Sequence, residues 1–363
     1  MNALPLTRLT THIYISPPYE ETDRPVLGAV VGEKSVLMVE AGNSPAHAYS
    51  FLEALARAHI ARPNYAALTH WHWDHIFGTS ALSHIYIFAH TKTAQAIQIL
   101  AQLDWSDEAV QRRVAEGKEI AFCRDCMQRE FTDSERKDIR LRHPDITFNA
   151  WIEIDLGDIS AQLIHVGGDH SIDSVVVFIP GDGVVFLGDC MYDAIYDTPR
   201  NYTSAKLLAL LERLTALDAS LYLPAHQEIP VPRSEFLSLA EKYKTIGKLV
   251  EQHGNNRQAV LTCLSRLAIP TDEETRTLIV CLPPDCKNPS APLPYHLVRF
   301  SKINPPGKHV NLNRETINTC STAAFQSVPY TSRFTTWCVK YLLAGWQPTV
   351  RSPVSWGNVL RAW

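Results

Sequence analysis

The chain has 363 residues and 45% hydrophobic residues, which excludes a wholly disordered protein. Its formal net charge of −4 gives no global reason to expect a nucleic acid or a membrane as partner. The charge is uneven, because residues 287–363 contain nine Lys/Arg and one acid, Glu315, so that residues 1–286 carry about −12.

The N-terminal residues, 1–16, lack the apolar segment of a secretory signal. No apolar stretch reaches the roughly 18 residues that cross a bilayer. The eight cysteines are scattered and do not show the spacing of a small disulfide-rich domain. We therefore expect a cytoplasmic protein with reduced thiols.

Short apolar runs then alternate with helical patterns. Residues 27–31 and 35–39 predict a hairpin around Gly32-Glu33-Lys34, and a helix follows at 46–58. The buried face of that helix is predicted to contain Leu52, Leu55, Ala56 and His59. Further strands are predicted at 65–68, 85–88, 152–154, 159–166, 174–179, 184–187 and 221–224. Strands and helices in this order predict an α/β protein with sheets covered by helices.

One charged segment, residues 92–143, interrupts the alternation and is helix-forming. It predicts a helical insertion, which we expect to fold over a site as a lid, with Trp105 as a candidate substrate contact. The insertion contains Cys123 and Cys126. A structural zinc site would need two more ligands nearby, so the pair is predicted to be two free thiols on a helix.

The C-terminal part consists of two segments that differ in amino-acid composition. Residues 234–286 predict a helical extension, whereas residues 287–363 are basic, rich in Pro, Ser, Thr and Asn, and contain four of the eight Trp. Basic, Pro-rich sequence buries too little apolar area to offset its ordering entropy, which predicts a poorly structured tail. The alternatives are a docking element anchored by its Trp residues on the acidic body, and a segment that binds a partner.

The strongest chemical signal is Thr69-His70-Trp71-His72-Trp73-Asp74-His75, directly after a predicted strand. His70 and His72 are two positions apart in extended chain, so both point to one side. Asp74 and His75 follow where the chain turns into a helix and can reach a second ion. Imidazole suits zinc and the carboxylate is a hard, charged ligand, so this segment predicts a metal site.

Three further candidate ligands each follow a predicted strand. They are His170 in Gly167-Gly168-Asp169-His170-Ser171, Asp189 in Phe186-Leu187-Gly188-Asp189, and His226 in Leu223-Pro224-Ala225-His226. With these residues in this order, the sequence resembles the metallo-β-lactamase superfamily, whose pattern is His-x-His-x-Asp-His, a distant His, an Asp and a final His. The resemblance covers about residues 8–232.

The resemblance implies a four-layered αββα sandwich for residues 1–233, with a metal site at the edge where the two sheets meet. It also implies two metal ions, expected to be Zn²⁺, with iron or manganese as alternatives. One ion would be held by His70, His72 and His170. The other would be held by Asp74, His75 and His226, with Asp189 between the two.

The pattern departs from the family at two places. Glu40-Ala41-Gly42 stands where Asp-x-Gly is usual, and we expect the longer acid to support the site in the same way. Asp169 stands where Pro-Gly-His is more usual, which makes His165 a competitor of His170. His165 lies within a strand pattern, so His170 is the predicted ligand.

The resemblance also implies the chemistry. Bound zinc lowers the pKa of water to about 7, and the resulting metal-bound hydroxide would attack the carbonyl of a small ester, thioester or lactone. Asp74 would orient the nucleophile and pass a proton to the leaving group. Tyr192 stands where lactonases of the superfamily place a tyrosine that contacts the substrate carbonyl, packing being the alternative interpretation. Trp71 and Trp73 are predicted to pack around the metal loop.

Three other functions compete. A β-lactam hydrolase would be expected to carry an export signal and a Cys or Ser at the position of Asp189. A phosphodiesterase of the RNase Z kind would need a basic surface, whereas residues 1–286 are acidic. A non-catalytic binding module on a decayed fold would not be expected to keep all seven ligands.

Overall fold

The computed structural model describes residues 4–197, 200–254, 256–272, 275–276, 278–279 and 282. The predicted tail, residues 287–363, lies outside the described residues, as does the end of the predicted helical extension.

Strands of the first half of the chain form a seven-stranded sheet in sequence order. The predicted hairpin is confirmed, because the third and fourth strands pair antiparallel, and the fifth to seventh strands then add in parallel. The sequence did not reveal the first, second and seventh strands. The seven strands are β1 Thr7–Arg8, β2 Ile13–Ser16, β3 Leu27–Val31, β4 Val36–Val39, β5 Tyr65–Ala67, β6 Tyr86–His90 and β7 Ile146–Phe148.

A second sheet of six strands follows, in the order β13-β12-β11-β10-β9-β8. The four strands β8 to β11 form an antiparallel meander, β12 pairs parallel with β11, and β13 closes the edge antiparallel. The six strands are β8 Trp151–Asp155, β9 Ser160–His165, β10 Val175–Ile179, β11 Val184–Gly188, β12 Leu221–Pro224 and β13 Val231–Pro232.

The two sheets pack face to face, and the strands of each sheet carry apolar side chains on both of their faces. In β4, Leu37 contributes to the cluster between the sheets, whereas Met38 points to the opposite face. In β10, Val177 contributes to the same inner cluster and Val176 to the opposite face. Side chains alternate between the faces of a strand, so each sheet needs a second covering layer.

Helices supply those outer layers and complete the predicted αββα sandwich. The first sheet is covered by α1 Pro45–Arg57, α2 Trp73–Ile76, α3 Thr91–Leu100, α4 Asp107–Ala115 and α5 Ala121–Glu130, followed by the short α6 Asp133–Lys137. The second sheet is covered by α7 Ser204–Ala216, α8 Arg233–His253 and α9 Arg257–Arg266. In the part of the chain that the structure describes, no helix combines the length and the apolarity needed to cross a membrane.

The helix α1 begins where its sequence predicts. Ser44 caps it by accepting a hydrogen bond from His47 N, and Pro45 occupies the first turn, where no amide donor is needed. The predicted buried face was wrong for Ala56 and His59, which are exposed. The buried positions are His47, Ala48, Phe51, Leu52, Ala54 and Leu55. His59 lies beyond the end of the helix with a left-handed φ of 58°.

The insertion is helical, as predicted, but Trp105 is not available to a substrate. Its side chain is 4% exposed, packs against Phe77 with 4.7 Å between ring centroids, and donates a hydrogen bond from Nε1 to Leu100 O. The expected substrate contact was therefore wrong. Cys123 and Cys126 are free thiols on α5, as predicted, and burial raises the pKa of both.

Candidate metal centre

The end of β5 delivers the histidine-rich segment to the place where the sheets meet. Thr69 O accepts a hydrogen bond from Val175 N of the second sheet at 2.8 Å, which joins the two sheets beside the segment. His70 and His72 precede α2, and His72 is its extended N-cap residue. Asp74 and His75 lie on this short helix, so the chain changes direction between the two pairs of candidate ligands.

Strand ends of the second sheet bring the remaining three candidate ligands to the same edge. Asp189 directly follows β11, and His226 lies just beyond β12, which runs parallel to β11. His170 lies on the loop before β10, the antiparallel neighbour of β11. Gly188 has a φ of 53°, and a Cβ there would lie 2.6 Å from Thr69 Oγ1. Glycine therefore allows this close approach between the two sheets.

All seven predicted ligands come together and form two adjacent groups. Within each group the ligand atoms lie within 4.8 Å of one another, and all seven residues are buried. Asp189 connects the groups, because its Oδ2 lies 3.4 Å from Nε2 of His170, of His75 and of His226. The groups are His70, His72 and His170, and Asp74, His75, Asp189 and His226.

The first group fits a divalent metal ion. Nε2 of His70, of His72 and of His170 is buried and finds no hydrogen-bond partner among the described residues. Buried polar atoms without partners are costly, and three on converging rings leave an electron-rich space. Burial, followed by the charge of His75 on His70 and of His70 on His72, lowers the pKa of these two imidazoles well below the ordinary value. Both are thus neutral, which is the form that binds metals.

The second group concentrates opposite charges. Burial lowers the pKa of His75 and His226, but the nearby carboxylates outweigh it and hold both values well above the ordinary one. Burial raises the pKa of Asp74 and Asp189, but the charges of the two histidines outweigh it and lower both values. The carboxylates are therefore ionised, and a divalent cation would replace the histidine protons as their counter-charge.

Glu40 supports the second group in the way that its position predicts. Its carboxylate is 2% exposed, accepts hydrogen bonds from Thr69 N and Oγ1, and lies with Oε1 3.0 Å from His75 Nδ1. The φ of Glu40 is 68°, which is unusual for a residue with a side chain. With Nδ1 of its ring beside Glu40, His75 faces Asp74 with Nε2 at 2.9 Å.

Two supporting residues were missed by the sequence analysis. The carbonyl oxygen of Asp193 accepts a hydrogen bond from His170 Nδ1 at 3.2 Å, and Arg200 binds the Asp193 carboxylate with two nitrogens. Asp23 is buried with Oδ1 3.5 Å from His226 Nδ1. Burial and then the charge of Asp74 raise the pKa of Asp23 to about 7. No local pattern marks either aspartate, because each acts through contacts distant in sequence.

His165, the competitor of His170, and Asp169, the departure from the family pattern, both lie outside the centre. His165 stacks on His90 with 4.0 Å between ring centroids, and its Nε2 donates a hydrogen bond to Ile172 O. Asp169 accepts a hydrogen bond from Thr203 N and pairs with Lys206, so it faces α7. The structure thus places His170, as predicted, with the other candidate ligands.

Aromatic side chains line the centre on two sides. The ring of Tyr192 is 6% exposed and lies 5.8 Å from the ring of His170 and 6.5 Å from that of His226. Trp71 is half-buried, contacts the His72 ring at 4.5 Å and stacks on Tyr196 at 5.8 Å. Trp73 is buried in the apolar core beside the first sheet, which agrees with the packing predicted for it.

Two solved structures and one family model are similar to this chain. The chain is similar to a metallo-beta-lactamase from Pontibacter korlensis at 18% identity, over 66% of this chain and 99% of that chain, with a TM-score of 0.46. It is also similar to a DIM-1 metallo-beta-lactamase exposed to ceftazidime, at 16% identity over 66% and 96% of the two chains, with a TM-score of 0.43. No curated protein matches the sequence. The family model of the metallo-beta-lactamase superfamily matches residues 23–226, more than half of the chain, and the protein belongs to that superfamily.

Proposed function

We propose that the protein is a binuclear zinc-dependent hydrolase that cleaves an ester, thioester or lactone bond of a small substrate. The observation that carries this proposal is the pair of adjacent, buried ligand groups joined by Asp189. Seven converging imidazoles and carboxylates exceed what one ion needs, and membership of a superfamily made up mostly of metallo-hydrolases supports hydrolysis.

The candidate ligands would bind two metal ions, and Asp74 would also take part in the proton transfer. The three histidines of the first group would hold one ion, and Asp74, His75 and His226 the other, with Asp189 shared. Divalent ions bound there would make water a nucleophile at neutral pH and polarise the acyl oxygen. Asp74 lies in the second group with Oδ2 2.9 Å from His75 Nε2 and 3.2 Å from His226 Nε2. Its carboxylate orients the attacking water and passes a proton to the leaving group.

Apolar surface beside the centre is suited to the acyl part of a substrate. Trp71 and Tyr196 form a stacked wall along one side of His72, and the Tyr196 hydroxyl donates to Glu119 of the insertion at 3.2 Å. Tyr192, whose ring lies 5.8 Å from the ring of His170, is the candidate donor to the acyl oxygen. A small carbonyl substrate bound beside these aromatic rings would be shielded from part of the bulk water.

The test is a substrate panel on the zinc-loaded full chain, with an ester, a thioester, a lactone, a phosphodiester and a chromogenic lactam. We expect about two zinc ions per chain and turnover of a carboxylic ester, thioester or lactone at neutral pH. His72→Ala should remove nearly all of this turnover, since it deletes one ligand of the first group. His143→Ala is the matched control, because His143 is exposed and precedes the first residue of β7, whereas the candidate ligands follow the last residue of the parallel strand β5.

Three results would overturn the proposal. One is a zinc content well below one ion per chain, and another is turnover that survives in the His72→Ala variant. The third is cleavage of the phosphodiester or the lactam alone, which would assign the same centre to a different substrate class.

A further inference from the structure

Asp23 lies close to the centre although it belongs to none of the motifs. It follows the 3-10 turn Glu20–Thr22 and is 6% exposed. Its Oδ1 lies 3.5 Å from Nδ1 of His226, whereas Nε2 of the same ring lies 3.2 Å from Asp74 Oδ2 and 3.4 Å from Asp189 Oδ2. The His226 imidazole thus stands between Asp23 on one side and the candidate metal position on the other.

The backbone of Asp23 is held in an uncommon conformation. Its φ is 56° and its ψ is 40°, which is the left-handed helical region. Aspartate tolerates this region better than most residues, but the conformation still needs support from its surroundings. Unfavourable conformations that the surrounding structure maintains are concentrated at functional sites. The direction of the Asp23 side chain is therefore determined by its neighbours.

Several contacts fix the chain on both sides of Asp23. Asn43 Nδ2 donates to Thr22 O at 2.7 Å, and Arg129 Nη1 donates to Glu21 O at 3.1 Å. On the other side, Arg24 binds Glu130 with two nitrogens at 3.0 and 2.7 Å. Both Arg129 and Glu130 belong to α5, so the helical insertion supplies two of these contacts.

The same segment is attached directly to the loop of His226. Val26 N donates a hydrogen bond to Ala225 O at 2.6 Å, and Ala225 immediately precedes His226. Asp23 and Val26 therefore contact consecutive residues of this loop, one through its side chain and one through its backbone. Two contacts of this kind fix both the position of the loop and the orientation of the ring.

We propose that Asp23 is a positioning residue, which orients the His226 imidazole so that Nε2 faces the second metal ion, and that α5 holds Asp23 in place. A carboxylate near Nδ1 favours the tautomer that carries its proton there, which leaves the Nε2 lone pair for a metal. The inference rests on the proposed function, because it takes His226 to be a ligand. It gives the insertion a role in building the centre, beyond any role as a lid.

Zinc affinity of the full-length variant Asp23→Asn tests this, measured for each ion by competition with a chelator. Asparagine also tolerates the left-handed region, so the variant removes the charge and keeps the fold. We expect the weaker-bound ion to lose about 10- to 100-fold in affinity, while the other changes little. Glu21→Gln is the matched control, because the Glu21 side chain is exposed on the same turn and only its carbonyl supports Asp23.

A double-mutant cycle with His226 separates positioning from a merely structural role. In the His226→Ala background, Asp23→Asn should cost less than about twofold in zinc affinity, because the ring through which Asp23 acts is gone. Losses that add fully in the double variant, or unchanged affinity in Asp23→Asn, would overturn the inference. Full additivity would also be the signature of Asp23 as a direct ligand.

Two variants on α5 test whether this helix holds Asp23 in place. Glu130→Gln weakens the pairing with Arg24 and should lower zinc affinity severalfold, whereas Gln128→Ala on the same helix should not. Equal affinities in these two variants would remove α5 from the inference. If the unmodified protein bound no zinc at all, the proposed function would fail together with the inference. If the unmodified protein bound two zinc ions and Asp23→Asn left the zinc affinity unchanged, the inference would fail and the proposed function would remain.

Discussion

Each carboxylate of the centre has a distinct position, so that substitutions at Asp74 and Asp189 should differ. The three histidines of the first group remain complete without Asp189, whereas the second group loses one of its four members. We expect Asp189→Ser to lower zinc content from about two to about one ion per chain after dialysis against buffered zinc. Asp74→Ala should abolish hydrolysis, because the proposed function assigns to this carboxylate both the orientation of the water and the transfer of the proton.

Metal analysis and turnover on the same samples check both statements. Asp197→Ser is a suitable control, because Asp197 is an exposed aspartate a few positions after Asp189. Substantial turnover in Asp74→Ala, or a zinc loss in Asp189→Ser shared equally by both ions, would contradict the assignment.

The phenol of Tyr192 gives a second prediction for individual residues. If it donates to the acyl oxygen, Tyr192→Phe should lower kcat about 10²-fold, the lower end for one such donor. The buried ring is retained in phenylalanine, so stability should change little. An unchanged rate on every substrate that the protein hydrolyses would return Tyr192 to a packing role.

Among the secondary-structure elements, the insertion corrects the sequence analysis most clearly. Trp105 was a candidate substrate contact because it lies in the insertion that was expected to form a lid. In the structure Arg113 lies over the indole at 4.6 Å and Phe77 packs on its edge, so the ring belongs to the core. Periodicity within α4 cannot show this, because Trp105 precedes the helix and its partners lie in other elements.

Trp105→Ala should therefore destabilise the fold by about 3–5 kcal/mol, as removal of a large core side chain does. KM of the folded variant should stay unchanged, since the ring contacts no substrate. Trp151→Ala is the control in thermal unfolding, because Trp151 is 62% exposed on β8. A raised KM with unchanged stability would restore the original expectation.

A polar cluster joins the two sheets just before the first residue of β11. The candidate metal centre lies at the other end of this strand, where Asp189 follows its last residue. His12 Nδ1 lies 2.8 Å from Asp182 Oδ1, and His12 Nε2 lies 3.2 Å from Asp158 Oδ2. The hydrogen bond to Asp182 raises the pKa of His12 above its ordinary value of 6.5. Burial raises the pKa of Asp182, but hydrogen bonds from Thr10 and His12 outweigh it and keep the pKa below the ordinary 3.8.

The directions of these two pKa shifts define the pH range in which the His12–Asp182 pair stabilises the folded protein. The contribution of His12 is complete below pH 6.5 and is lost as pH rises through its raised pKa. The contribution of Asp182 is complete above pH 3.8 and is lost as pH falls through its lowered pKa. His12→Gln should lower Tm by up to about 4 °C at pH 5.5, given at most about 1 kcal/mol for such pairs, and by less at pH 9. Equal losses at both pH values, or the same loss in His143→Gln, would contradict this.

Features that depend on local sequence patterns could be predicted, whereas contacts between the two sheets could not. The seven candidate ligands were predictable, because each follows a strand marked by an apolar run. Both sheets were predictable in outline for the same reason, but the strands β1, β2, β7 and β13 were not predicted. β1 and β13 have only two residues each, which leave no pattern. The approach of Asp23 to His226 depends on how the first sheet faces the second, which no local spacing encodes.

The C-terminal residues from 285 onward contain none of the seven candidate metal ligands. All candidate ligands precede residue 227, and the apolar clusters of the sandwich are formed by the described residues. A chain ending at Pro284 should therefore fold, bind about two zinc ions and keep its hydrolytic activity. Loss of zinc or of solubility in this shortened chain, compared with the full chain, would show that residues 285–363 belong to the domain.

The division of the ligands between two distant stretches of chain sets the order of events during synthesis. Four of them, from His70 to His75, leave the ribosome well before His170, Asp189 and His226. At roughly 5–20 residues per second, the interval between His70 and His226 lasts on the order of ten seconds. During that interval the nascent chain contains four of the candidate ligands but neither complete group. A metal ion that needs ligands from both stretches can therefore be selected only after the second sheet has closed, by a nearly finished domain.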